Sequence, residues 1–119
     1  MNIRSLAKGL KYCGQAAGKR QTYYVFESGN GYVVMSASRT KRASGYFNLV
    51  SRDAVARIRR AYAGRHDVTA KQLATRARGA GVRDALQALN VLYVLAATGA
   101  AKRDDRYQDK SLHYNIAAR

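Results

Sequence analysis

Short runs of apolar and aromatic residues broken by turn signals fill residues 21–50, and from residue 51 the apolar positions recur at helical spacing. Residues 22–27 and 32–37 flank Ser28-Gly29-Asn30-Gly31, a combination that predicts a β-hairpin. Tyr46-Phe47-Asn48-Leu49-Val50 predicts a third strand. Ser51 is a good helix cap, Asp53 suits the positive end of the helix dipole, and Val55, Ile58 and Tyr62 mark a buried stripe that ends at Gly64. A second helix opens at Val68-Thr69-Ala70-Lys71-Gln72-Leu73. There Thr69 caps, Gln72 holds the reciprocal capping-box position, and Val68 with Leu73 forms a hydrophobic staple. This helix passes Ala74 and Ala77 and breaks at the glycine turn Arg78-Gly79-Ala80-Gly81. A third helix follows over residues 83–98, with Leu86, Leu89, Tyr93 and Ala96 as its stripe, Leu92 and Leu95 widening it, and Gly99 ending it. A strand, a charged tip at Asp104-Asp105-Arg106-Tyr107 and a closing strand over 112–116 complete the chain. In that last strand Leu112, Tyr114 and Ile116 alternate with outward-facing His113 and Asn115.

The pattern implies an α+β chain in three parts: a basic N-terminal arm (1–20), an aromatic-rich β unit (21–50) and a helical domain with a terminal hairpin (51–119). Residues 1–20 carry Arg4, Lys8, Lys11, Lys19 and Arg20 and no acid, and glycines at 9, 14 and 18 interrupt any helical pattern. A flexible arm, at most partly helical over 3–10, is the expectation. Tyr23, Tyr24, Phe26, Tyr32, Tyr46 and Phe47 fall on both faces of the β unit's strands, so one face is expected to pack on the helices; the other either meets a dimer mate, the arm or stacked bases, or is an ordinary sheet face with a few exposed tyrosines.

Charge turns this framework toward a function. The 22 Lys and Arg against 7 Asp and Glu give a net charge of +15, which favours a polyanionic partner. No apolar run reaches the roughly 18 residues of a membrane span, the longest being 91–97. The N-terminus lacks a secretory apolar segment and Cys13 is the one thiol, so a cytoplasmic location is expected.

The order from 51 to 116 (capped helix, helix, glycine turn, helix, strand, charged tip, strand) resembles the winged-helix superfamily of nucleic-acid-binding domains. The resemblance implies a winged helix-turn-helix with the β unit as an N-terminal extension. It implies double-stranded DNA as the partner, often bound by a dimer whose recognition helices meet half-sites roughly 34 Å apart. It also implies that Arg83, Gln87 and Asn90, on one side of the third helix, enter the major groove, because Arg can bind guanine edges and Gln or Asn adenine edges. Around that helix the expected DNA-binding set comprises Thr69, Lys71 and Arg78 of the helix-turn-helix and Arg59 and Arg60 of the first helix. It also takes in Arg39, Lys41 and Arg42 of the 38–45 loop, and Arg103, Arg106 and Tyr107 of the wing. Asp104, Asp105 and Asp109 reduce the wing's charge, a departure from the usual basic wing.

Catalysis has little support in the residues. The two histidines and Cys13 match no zinc spacing, no glycine-rich phosphate loop precedes a Lys-Ser/Thr pair, and most of the acids have local roles at helix starts, in loops or at the wing tip. The chain is therefore expected to be a binding protein without metal or cofactor. Its expected role is a transcriptional regulator or architectural DNA-binding protein, nucleoid-associated when bound. The alternatives are a structural RNA-binding protein of ribosomal type, or an interaction subunit of a nucleic-acid-processing complex. An A-form RNA major groove would not admit the third helix, so the basic arm and loops would dominate RNA binding.

Overall fold

Four consecutive strands form an antiparallel meander: β1 (Lys11–Ala17), β2 (Thr22–Ser28), β3 (Gly31–Ala37) and β4 (Gly45–Ser51), hydrogen-bonded in chain order. Three helices follow, α1 (Arg52–Ala61), α2 (Ala70–Arg76) and α3 (Ala85–Ala97), then a hairpin of β5 (Ala101–Arg103) and β6 (Tyr114–Ile116). The computed structural model describes residues 9–18, 21–29, 31–37, 45–77, 82–104, 106 and 112–118. The chain is thus α+β, with a four-strand sheet where three strands are expected. The additional strand is β1, drawn from the supposed flexible arm; residues 3–8 of that arm, and Lys19 and Arg20, lie outside the described residues.

Register sorts the sheet's side chains into two faces, because directly opposed residues point the same way. On the inner face Ala16, Val25, Val34 and Val50 join the main core with Val55, Ile58, Leu73 and the buried half of α3. On the outer face Tyr12, Phe26, Val33 and Leu49 lie in one row and Tyr24, Met35 and Phe47 in the next. Phe26, Val33 and Met35 are buried there with Leu10 and Tyr24 packed against them. Phe26 is thus buried, and among the described residues the exposed large apolar groups on this face are Tyr12, Phe47 and Leu49.

The helix signals resolve into specific bonds. Ser51 Oγ accepts from the Ala54 amide and Thr69 Oγ1 from the Gln72 amide, while Gln72 Nε2 donates to the Asp67 carbonyl. Val68 and Leu73, the staple pair, are both fully buried. α3 ends in a Schellman motif: Ala100 N–H donates to Leu95 O at 2.8 Å and Gly99 N–H to Ala96 O at 3.2 Å, with Gly99 at φ 84°.

Two expectations for α3 need correction. The helix starts at Ala85 behind an Asp84 cap, not at Arg83, and its first turn projects beyond the core, so Leu86 is 61% exposed. Asn90 is instead buried with Val91, Leu92, Tyr93, Val94 and Leu95, because α3 is enclosed between the sheet, α1, α2 and the hairpin. His113 is likewise buried rather than outward-facing.

Burial around α3 sets a high-pH limit on the fold. Tyr93 stacks on Tyr23 with ring centroids 4.3 Å apart, and Tyr114, the first residue of β6, is fully buried. Desolvation pushes Tyr114 up to about 12 and raises Tyr93 as well. In the unfolded chain these phenols ionise near pH ~10, while the folded chain retains their protons. Their contribution to stability is therefore intact below about pH 10 and lost as pH rises toward 12. A urea midpoint measured against pH is expected to fall across that window; a flat midpoint would contradict the burial of these rings.

Candidate nucleic-acid interface

Five of the seven acids fall among the described residues, and each is engaged locally. Glu27 pairs with Arg52 at 3.2 Å and Asp53 with Arg57 at 2.9 Å. Asp84 Oδ1 accepts the Gln87 amide at 2.8 Å as the cap of α3. Asp67 pairs with His113, its amide donates to Asn115 Oδ1, and its φ of 62° is one that Asp tolerates better than most residues. Asp104 accepts from Nε and Nη2 of the Arg106 guanidinium, from the Arg106 amide and from Asn115 Nδ2. These bonds, led by that from the Arg106 side chain, hold the Asp104 carboxyl well below the usual carboxylate range.

The polar chain Asp67–Asn115–Asp104 fastens the hairpin to the turn before α2, and Val68 adds an antiparallel bridge to Tyr114. Asp104 is thus a buried structural acid, not a repulsive charge on the surface of the hairpin. Asp105 and Asp109 lie outside the described residues.

Cations are left in surplus. Arg59, Arg60, Arg65, Lys71, Arg76, Arg83 and Lys102 are exposed, and among the described residues no carboxylate lies within ion-pair distance of them. Two of them, Arg59 and Arg60, are neighbours on α1. Arg52 and Arg59 are seven residues apart, about 10 Å along the axis and on one face. With Arg60 they flank an open cavity of about 490 Å³, lined also by Tyr32 on β3 and by Ala117 and Ala118 after β6. Arg52 is fixed there: its guanidinium donates to Glu27 and to the Ser28 carbonyl and sits 5.3 Å from the Tyr32 ring centroid.

The structure divides the expected DNA-binding residues. Arg59 and Arg60 come together at the cavity, and Lys71 is exposed on α2. Arg83 and Gln87 are exposed at the start of α3, where Gln87 Oε1 accepts the Arg83 amide at 2.8 Å and leaves its NH₂ group unengaged. Asn90 leaves that face, because its side chain is buried and Nδ2 donates to the Leu86 carbonyl. Thr69 leaves it too, buried with its hydroxyl spent on the helix cap. Arg106 is tied to Asp104, though its side chain is 75% exposed; Arg103 is half-buried, with a charge that acts on Tyr93 and Tyr114. Arg39, Lys41, Arg42, Arg78 and Tyr107 lie outside the described residues.

Sequence reading missed Arg52 and Tyr32 as partners of Arg59 and Arg60. Spacing along α1 contained the signal for Arg52. Tyr32 had none, since only the β3–β4 register and the turn into α1 bring it there. Among the described residues, no helix is long and apolar enough to cross a membrane. Comparison with protein-family models, with curated proteins and with solved structures returns no match.

Proposed function

We propose that this chain is a nucleic-acid-binding protein that holds duplex DNA mainly through its phosphates, with no catalytic step of its own. The observation that carries this reading is the disposition of charge: every described acid is engaged locally, while Arg59 and Arg60 on α1, Lys71 and Arg76 on α2 and Arg83 before α3 have no acidic partner among the described residues. Such a surface attracts a polyanion and gains free energy from released counterions. The winged-helix reading supplies the scaffold. In its favour are two successive capped helices after α1 and a hairpin fastened to the chain between α1 and α2 by the Val68–Tyr114 bridge.

Base reading in this proposal is limited. Arg83 and Gln87 are the two groups at the head of α3 able to meet base edges, with Asp84 between them as the cap. Shape and charge therefore dominate, as in an architectural protein more than a stringent regulator, and a cytoplasmic, nucleoid-associated location goes with that role.

Titration of duplex DNA at graded salt tests the proposal. The logarithm of affinity is expected to fall with the logarithm of salt with a slope of several, about one per phosphate neutralised. A nearly flat dependence, or no binding at low salt, overturns it. A folded RNA titrated in parallel at the same salt is expected to bind more weakly, since its deep, narrow groove excludes the α3 tip. Tighter binding to the RNA would reverse the choice of partner.

A further inference from the structure

We propose that the cavity beside α1 is a binding site for a single unpaired nucleotide, with the phosphate on Arg59 and Arg60 and the base in the slot beyond them. The cavity is amphiphilic in a way that a simple phosphate-tracking surface is not. At one side stand two exposed guanidiniums with no carboxylate partner among the described residues. The rest of the lining is apolar and made of small side chains: Val55 and Ala56 on α1, Ala63 just after it, and Ala117 and Ala118 after β6. Tyr32 and Arg52 also line it, with the Arg52 guanidinium over the Tyr32 ring and its charge already matched by Glu27.

Each part of this lining excludes a simpler ligand. Inorganic phosphate would satisfy Arg59 and Arg60 but gain nothing from five apolar side chains and a ring. An uncharged apolar molecule would use the floor and leave the guanidiniums without a partner, in a site whose charge selects anions. A paired base in a duplex cannot enter, because its faces are covered by its neighbours in the stack. A compact anion joined to a flat ring system uses both halves, and a volume of about 490 Å³ lies within the range of small-ligand sites. Small alanines leave room for a ring where larger side chains would fill the slot, and the Tyr32 ring with the Arg52 guanidinium over it adds an aromatic and cationic wall. The nucleotide can come from solution as a free mononucleotide or from an unpaired position in a strand. The site goes beyond the duplex reading and shares with it Arg59 and Arg60.

Calorimetric titration of the full chain with adenosine monophosphate, adenosine and inorganic phosphate tests the site. The monophosphate is expected to bind at least about tenfold more tightly than either fragment. Ala56→Trp fills the slot from an exposed helical position without changing charge, and is expected to abolish that binding; Ala63→Phe, also exposed, is the second filling variant should the first fail to fold. Equal affinity for phosphate and the monophosphate overturns the proposal, as does silence up to about 1 mM, or persistence of binding in a folded filling variant. A duplex with a one-nucleotide overhang that binds more tightly than its blunt counterpart identifies the strand as the source, and equal affinities identify the free nucleotide. Monophosphate binding without duplex binding rejects the duplex reading and leaves the site standing; duplex binding without monophosphate binding rejects the site alone.

Discussion

Reversing the charge at Arg59 and Arg60 together, as Arg59→Glu with Arg60→Glu, is expected to weaken duplex DNA binding by roughly a hundredfold at low salt and to lower the salt slope by about two. Both side chains are exposed on α1, away from the buried Val55–Ile58–Tyr62 stripe, so the helix and its packing are left as they are. Neither is paired with an acid among the described residues, whereas Arg52 and Arg57 already hold Glu27 and Asp53. Removal of Arg52 would therefore confound lost binding with a lost tie between the sheet and α1. Arg83→Ala and Gln87→Ala are expected to act differently, each relaxing preference at particular base pairs by about 1–3 kcal/mol with little change in slope. Asn90→Ala is expected to alter stability and no base preference, because its side chain is buried. Fluorescence anisotropy at graded salt on two duplexes of different sequence separates these outcomes. An unchanged affinity after the double reversal at Arg59 and Arg60 removes α1 from the interface.

Local signals in this sequence were legible where the chain itself satisfies them. The Ser51 and Thr69 caps, the Val68–Leu73 staple and the Gly64 and Gly99 stops are settled within a few residues of backbone, so residue types alone disclose them. The hairpin at 28–31 belongs to the same class. What could not be read depends on partners distant in the chain. Asn90 looks like a surface residue by type, but its burial follows from α3 meeting the sheet and the hairpin at once. His113 sits at a position that alternation assigns to solvent, and it is buried against Asp67, some 46 residues away. Asp104 reads as a wing-tip charge and proves to be a buried acid gripped by Arg106 and Asn115. The α1 cavity is the same lesson at the candidate site: Arg59 and Arg60 are visible in the sequence, whereas the Tyr32 and Ala117–Ala118 walls exist only once the strands are assembled.

Gly14→Ala is expected to be the most damaging single substitution to the fold, and the reason lies in the segment that sequence reading assigned to a flexible arm. Gly14 sits at the irregularity in β1, where pairing with β2 shifts between Tyr12 and Gly14, and its φ is 145°, a conformation side-chain-bearing residues rarely adopt. A Cβ there would lie 2.4 Å from the carbonyl oxygen of Ala97, at the end of α3. The obstacle is backbone held by the Schellman motif, not a side chain able to swing aside. Relief therefore requires moving β1 off the core helix, which also lifts Ala16 and disturbs the Tyr23–Tyr93 stack beneath the sheet. A loss of about 3 kcal/mol or more is expected, enough to lower the thermal midpoint by roughly 10–20 °C. Gly99→Ala is the control: its φ of 84° is equally foreign to alanine, but a Cβ there meets nothing within 4 Å. That variant is expected to lose only the conformational penalty, about 1–2 kcal/mol. The difference between the two, measured by thermal and urea unfolding, reports how closely β1 packs on α3. Equal losses would mean that residues 11–17 are not held against the helix, and the four-strand sheet would then lose its first strand.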